Sequence, residues 1–203
     1  MNDENKNAFN LFMIRHAPVL HPKGMIYGDK AVIDLKSEPV KEQLSCLARN
    51  IPHINESYWL NSGVERAFET ALTIHNLQNK KVDFDIVNDI GFREQNFGDL
   101  IGLSHEDANG HLSFIDGKIA APTPPNGESV EVFISRVGTA IENVKKEMLE
   151  RNFSYSVIFC HGGTIRAANV YLNRLKIEDF IRLDTPPLGM HVFRGAYQSN
   201  PGL

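Results

Sequence analysis

The chain has 203 residues, 42% hydrophobic and 23% charged, with a formal net charge of -4 and two cysteines. That length suits one domain burying a sheet on both faces, and the charge balance excludes a polyanion-binding surface, so nucleic acid is not an expected partner. Cys46 and Cys160 make neither a disulfide framework nor a four-thiolate metal site, and both are expected as buried free thiols.

The opening MNDENKNAFN lacks the basic start and apolar centre of a signal peptide. No apolar run approaches the ~18 residues that cross a bilayer, so a cytoplasmic protein without membrane partners is expected. LFMIR at 11–15 reads as a buried strand. Ser37 and Pro39 then open a helix in which Val40, Leu44 and Leu47 share a face, ending near Asn50 and Pro52. SYWLN at 57–61 is the next strand. Ala67, Phe68, Ala71, Leu72 and His75 recur at helical spacing, and Val82, Phe84 and Ile86 alternate with polar residues as in a strand with one wet face.

From Glu94 to Glu128 the chain carries Gly98, Gly102, Gly110, Gly117 and Gly127 with Pro122, Pro124 and Pro125. A lid-like excursion at about 99–127 is expected there, within a single domain over 1–203. The longest helix is expected from about Ser129 to Asn152, striped by Phe133, Val137, Ile141, Val144 and Met148. Ser129 reads as a plain N-cap, because Val132 stands where a capping box requires Glu or Gln. Glu128 beside it reads as a structural carboxylate complementing the helix dipole. SVIFC at 156–160 is a buried strand, TIRAANVYL a helix, and MHVF at 190–193 a closing strand. Strands alternating with helices imply an α/β fold, a three-layer αβα sandwich with a mostly parallel central sheet.

In such a fold ligands bind beyond the carboxyl ends of the strands. Arg15-His16 and His161-Gly162-Gly163 each directly follow a strand-like run, Arg66 lies behind a third, and Glu94 precedes Phe97-Gly98. His16, His21 and His161 are one conceivable zinc set, yet no acidic or thiolate ligand stands at metal spacing near them. No metal and no cofactor are expected. A nucleotide-binding module would need a Gly-Lys-Ser/Thr loop or a Gly-x-Gly-x-x-Gly after a strand, and neither is present.

Five segments in order carry a resemblance to the histidine phosphatase, or phosphoglycerate mutase-like, superfamily. LFMIRHAPV resembles its Arg-His-Gly strand, and NSGVERAFETA its Ser-Ser-Pro-Leu-x-Arg-Ala-x-x-Thr-Ala element. FREQNFGD is similar to its acidic motif, PPNGES to its Pro-x-Gly-Glu-Ser, and CHGGTIRAA to its second histidine motif. The resemblance implies a phosphomonoesterase acting on a small phosphorylated substrate, as a monomer or homodimer. His16 would be the nucleophile, Arg15 and Arg66 a clamp on the phosphoryl oxygens, His161 part of the anion cradle, and Glu94 the acid and base. Gly162 and Gly163 would let the backbone approach the anion. Mutases of the family carry a longer insertion between the positions of Glu94 and Glu128, so a phosphatase is favoured over mutase-type transfer or a silent phospho-ligand-binding member. His16-Ala17-Pro18 followed by GMIYGD at 24–29 is similar to the α-ribazole-5'-phosphate phosphatase branch, which makes Tyr27 and Gly28 substrate-side candidates. Ala17 departs from the family's Gly, a small change only if its φ is negative.

Overall fold

The computed structural model describes residues 8–22, 24–52, 57–78, 86–108 and 123–197. Strand β1 (Ala8–Arg15) leads to helix α1 (Glu38–Asn50), β2 (Ser57–Asn61), α2 (Glu65–Leu77), β3 (Val87–Asn88), α3 (Val130–Glu150), β4 (Tyr155–Cys160), α4 (Gly162–Asn173) and β5 (Met190–Ala196). The five strands form one sheet in the order β3-β2-β4-β1-β5. All pairings are parallel except that of β1 with β5, which is antiparallel.

The period of two along each strand divides the core. Leu11, Met13, Leu60, Ile158 and Cys160 face α3 and α4 and join Phe133, Val137, Ile141 and Ile165. Ile14, Trp59, Val157 and Phe159 face the other way and meet Leu44 and Leu47 of α1 with Ala67, Ala71 and Ile74 of α2. Helices on both faces of a mostly parallel sheet give the expected three layers, and the apolar run Val157–Cys160 of β4 is what such burial demands, the buried Ser156 before it donating its hydroxyl to the Tyr58 carbonyl at 2.9 Å. Ser129 caps α3 by accepting from the Val132 amide at 3.2 Å, the plain cap its sequence implies.

Some local expectations need correction. Phe68 and Leu72 are exposed, because the buried arc of α2 is Arg66, Ala67, Thr70, Ala71, Ile74 and His75, rotated so that a polar pair faces the sheet end. Of the strand expected at 82–86, Val82 and Phe84 lie outside the described residues, and the pairing falls on Val87–Asn88 after the buried Ile86. Cys46 is exposed on α1, whereas Cys160 is buried in β4. Residues 109–122 of the expected excursion lie outside the described residues. Its near flank is tied to the segment carrying Tyr27 and Gly28: the Ile26 amide donates to the Leu103 carbonyl at 2.9 Å and the Gly102 amide to that of Ile26 at 2.8 Å. Gly98 closes the turn at a positive φ of 51°, where a Cβ would collide with the Pro125 carbonyl. Among the described residues no helix is long and apolar enough to cross a membrane.

Candidate functional site

Strand order brings the two sequence-distant histidines together. In the β1–β4 register Arg15 lies opposite Cys160, so His16 and His161 emerge side by side from adjacent parallel strands, ring centroids 5.2 Å apart at 63°. The ladders run one residue past the strands, the His16 amide donating to the Cys160 carbonyl at 3.0 Å and the Ser62 amide to Phe159 at 3.1 Å. Three strand ends therefore deliver His16, Ser62 and His161 to one spot. Ala17 has no positive φ, so the family's glycine is dispensable there. Its amide donates to Thr70 Oγ1 at 3.0 Å, and that hydroxyl donates to the Arg66 carbonyl at 2.7 Å. Thr70 thus fastens the turn after His16 to the first turns of α2.

The hydrogen bonds fix both tautomers. The Ala17 carbonyl can only accept, so His16 Nδ1 carries the proton it donates at 2.7 Å, and Nε2 keeps a lone pair in the neutral ring. Burial, then the charges of Arg66 and Arg15, hold the His16 pKa down to about 3 despite the Ala17 bond. Arg66 can only donate, so His161 Nδ1 accepts from its guanidinium at 3.2 Å, and Nε2–H faces Ser62 Oγ at 2.9 Å. Burial followed by Arg66 pushes the His161 pKa well below the imidazole range.

The two arginines converge on the same place from different elements. Arg66, 2% exposed, also donates to the carbonyls of Gly28 at 3.0 Å and Asp29 at 3.2 Å, and lies over the Tyr27 ring at 5.5 Å. Arg15 donates to the Thr185 carbonyl at 2.6 Å and to Tyr27 Oη at 3.4 Å. Yet Nε of each arginine and the hydroxyl of Thr185 are buried with no hydrogen-bond partner. An unmade bond to a buried donor is costly, and a charged one more so, which makes this cluster suited to an anion.

Glu94 joins from the loop after β3. Its carboxylate accepts from the Gly163 amide in the first turn of α4 at 3.1 Å and from the Gln95 amide at 3.1 Å. A Cβ at Gly163 would collide with that carboxylate, and one at Gly162 would meet Thr185 Oγ1 at 2.9 Å and the Arg15 guanidinium at 3.4 Å. Beside Glu94 and Arg66 opens a cleft of about 1000 Å³ reaching along α3, its wall including Tyr27, Gly28, Ile90 and Val132. All eight sequence-identified candidates, Arg15, His16, Tyr27, Gly28, Arg66, Glu94, His161 and Gly162, thus lie around one site.

Ser62, Thr185 and Arg136 escaped the sequence reading. The rule that singled out His16 and His161, the first residue past a strand, also selects Ser62. Nothing in the local pattern marks Thr185 or Arg136. His21 stacks on Tyr27 at 6.0 Å, and among the described residues no group of three or more His, Cys, Asp or Glu side chains is placed to hold a metal ion. Arg93 pairs with Asp29 at 3.8 Å, and Arg166 donates to the Leu183 carbonyl at 3.0 Å. The Cys160 thiol is pushed up by burial, which removes it as a nucleophile.

A sequence model of the histidine phosphatase superfamily (branch 1) matches residues 11–200. Phosphoglycerate mutase-like protein 4 of Arabidopsis thaliana is 29% identical over 138 residues, covering 65% of this chain and 54% of that protein. The chain spans about half the length of the curated relatives it matches. Among solved structures, a mycobacterial glucosyl-3-phosphoglycerate phosphatase superposes with a TM-score of 0.73 at 19% identity, over 93% of this chain and 91% of the other. An Escherichia coli protein with a proposed alpha-ribazole-5'-P phosphatase activity has the same TM-score, identity and coverage. At these identities the likeness is one of fold.

Proposed function

The chain belongs to branch 1 of the histidine phosphatase superfamily, and from that premise we propose a single-domain, metal-independent phosphomonoesterase working through a phosphohistidine intermediate on a small phosphorylated metabolite. The observation that carries this reading is His16 Nε2, a free lone pair on a neutral ring, beside two arginines whose buried Nε donors lack partners.

A phosphomonoester is close to a dianion, and attack on it is slow until charge on its oxygens is offset and its phosphorus held in line. Arg15 and Arg66 provide both, as planar forks that bind oxygens in pairs. Arg66 then trades its bonds to the Gly28 and Asp29 carbonyls for phosphoryl oxygens. His16 Nε2 attacks phosphorus, the N–P bond forms and the P–O ester bond breaks. Glu94, protonated, gives its proton to the departing alkoxide. Water then attacks the phosphohistidine, Glu94 takes a proton back, the N–P bond breaks and inorganic phosphate leaves. His161 accepts from Arg66 through Nδ1 and so holds that guanidinium in the anion cradle as charge develops on the phosphoryl oxygens. Gly162 keeps the α4 end free of a Cβ where the phosphoryl group must approach.

For the leaving group, the cleft beside Arg66 and Glu94 offers Ile90, Val132 and Ile101, exposed at 67%, 58% and 48%. Exposed aliphatic side chains lining one cleft support an alcohol with an apolar body. With the GMIYGD segment, they favour α-ribazole 5'-phosphate, whose base is an apolar fused ring, over small hydroxy acids. Tyr27 and Gly28 border that cleft as substrate-side residues.

The test is phosphate release, with chelator present, from α-ribazole 5'-phosphate, 3-phosphoglycerate and a chromogenic aryl phosphate. Turnover by the unmodified chain that disappears in His16→Ala is expected, with the ribazole ester preferred. No turnover of any ester refutes the hydrolase, and preference for 3-phosphoglycerate refutes the apolar leaving group.

A further inference from the structure

Arg136 lies on α3, outside every motif that points to the chemistry, and about two turns beyond Glu128, which precedes the Ser129 cap of that helix. All five of its N–H donors are accounted for. Nε and Nη2 donate to the two carboxylate oxygens of Glu128 at 2.8 and 2.7 Å, a bidentate pair in which the side chains are only 29% and 11% exposed. The remaining donors go to backbone carbonyls of the loop that carries Glu94: Nη1 to Gly91 at 2.9 Å and Arg93 at 3.2 Å, Nη2 to Glu94 itself at 3.3 Å. The guanidinium rests over the Phe133 ring, 5.0 Å from its centroid.

Glu128 completes the grip from the other side. Its carbonyl accepts from Gln95 Nε2 at 2.8 Å, its amide donates to the Asn96 carbonyl at 2.8 Å, and its carboxylate accepts from the Asn96 amide at 3.3 Å. Four consecutive residues, Arg93 to Asn96, are thereby held by two residues, Arg93 and Glu94 by the Arg136 side chain, Gln95 by the Glu128 carbonyl, and Asn96 by the Glu128 amide and carboxylate. Between Arg93 and Phe97 the loop has no regular structure, and it is also held from α4, where Thr164 Oγ1 donates to the Phe92 and Arg93 carbonyls at 3.2 and 3.1 Å, so the pinning from α3 supplies the second support of the segment whose carboxylate meets the end of α4.

We propose that Arg136, braced by Glu128, is the positioning residue for Glu94: both border the cleft, but the N–H donors of Arg136 are spent on Glu128 and the loop, so it sets the reach of the proton donor through the backbone that carries it. The inference rests on Glu94 as the acid of the proposed hydrolase. A fork of five donors in one plane does this work, and a lysine ammonium cannot reproduce it. Loss of the fork relaxes the loop, and proton delivery suffers while phosphoryl binding by Arg15 and Arg66 does not.

The experiment measures kcat/KM, which reports through the first irreversible step, for Arg136→Lys and Arg136→Ala on phosphate esters of graded leaving-group pKa. Esters with poor leaving groups need the proton, and general acid catalysis is worth on the order of 100-fold or more. Alkyl phosphates are expected to fall about 100-fold in both variants, and the most activated aryl phosphate only a few-fold, with inhibition by inorganic phosphate unchanged. A loss by one factor across the panel, or weakened phosphate inhibition, overturns the proposal. In the Glu94→Gln background Arg136→Ala is expected to cost nothing more on alkyl phosphates; a full multiplied loss overturns it as well. Glu128→Gln, which weakens the brace while keeping its shape, must show the same dependence on leaving group and serves if Arg136→Ala fails to fold. Absence of turnover by the unmodified chain refutes the hydrolase itself, whereas a uniform loss in the variants refutes only the positioning role.

Discussion

Arg66 donates a guanidinium N–H to Nδ1 of His161 at 3.2 Å, which obliges that histidine to be neutral and to turn its protonated Nε2 toward Ser62. The bond spans two elements, the first turn of α2 and the end of β4, and it sets the acceptor state of one ring and the orientation of one clamp together. Ser62→Ala removes the acceptor for Nε2–H and leaves a buried donor unpaired, a cost of about 1–3 kcal/mol. A fall in stability of that size, with KM for phosphate esters raised more than kcat is lowered, is the expected result. Calorimetry with steady-state kinetics checks it, and unchanged KM counts against His161 as the holder of Arg66.

His16→Gln should abolish turnover while keeping the fold, since glutamine retains a polar group near the Ala17 carbonyl. The drop expected is at least ~1000-fold, as for loss of a covalent nucleophile. Phosphate affinity, measured by titration calorimetry, should stay within a few-fold of the unmodified chain because the arginines remain. Residual burst-phase phosphorylation in this variant would move the nucleophile elsewhere.

Both histidines are held below their ordinary value near 6.5, His16 at about 3. Between those values the unfolded chain binds protons that the fold refuses. Stability is therefore fully present above pH 6.5 and is lost as pH falls toward 3, with a slope approaching about 1.4 kcal/mol per pH unit for each histidine. Denaturant titrations at pH 7, 6, 5 and 4 should give that fall, and His16→Gln should reduce the slope by one histidine's share. For activity the same depression means that no acid limb from His16 appears near pH 6.5.

Gly163→Ala separates catalysis from stability. Its Cβ falls on the Glu94 carboxylate, the movable end of a side chain, so the fold can yield while the acid cannot stay in place. Within a helix Ala is favoured over Gly by roughly 1 kcal/mol, so the melting temperature should hold or rise. On alkyl phosphates kcat/KM should fall about 100-fold, the scale of general acid catalysis. Equal loss on activated aryl esters would show that Gly163 serves phosphate approach and not the acid.

Thr70→Val is nearly isosteric, and it strips the hydroxyl that joins the Ala17 amide to the Arg66 carbonyl. The buried Ala17 amide loses its partner at a cost of about 1–3 kcal/mol. Because the turn after His16 is then held less firmly, kcat should fall along with stability, and Thr70→Ser should restore both. Stability lost with kcat intact would make Thr70 a purely structural link.

The local order of this chain could be read from residue pattern because strands and helices bury faces of different period. LFMIR, SYWLN and SVIFC named their strands, the stripe from Phe133 to Met148 named α3, and position after a strand named His16 and His161. Periodicity reports only which residues of one element share a face, so it missed the rotation of α2 that leaves Phe68 and Leu72 exposed and turns Arg66 inward. It says nothing of which strand lies beside which. Insertion of β4 between β2 and β1 is a long-range pairing decided by how the crossover helices pack, and it alone places His16 beside His161 and Ser62 against its ring. Arg136 and Thr185 belong to the same class: their partners lie on other segments, and only the folded packing brings Glu128 with the Glu94 loop to the one, and Arg15 with Gly162 to the other. Residue chemistry, spacing and the family resemblance thus nominated the candidate site residues, and tertiary packing decided their distances, tautomers and supports, because those depend on contacts between segments that no local pattern encodes.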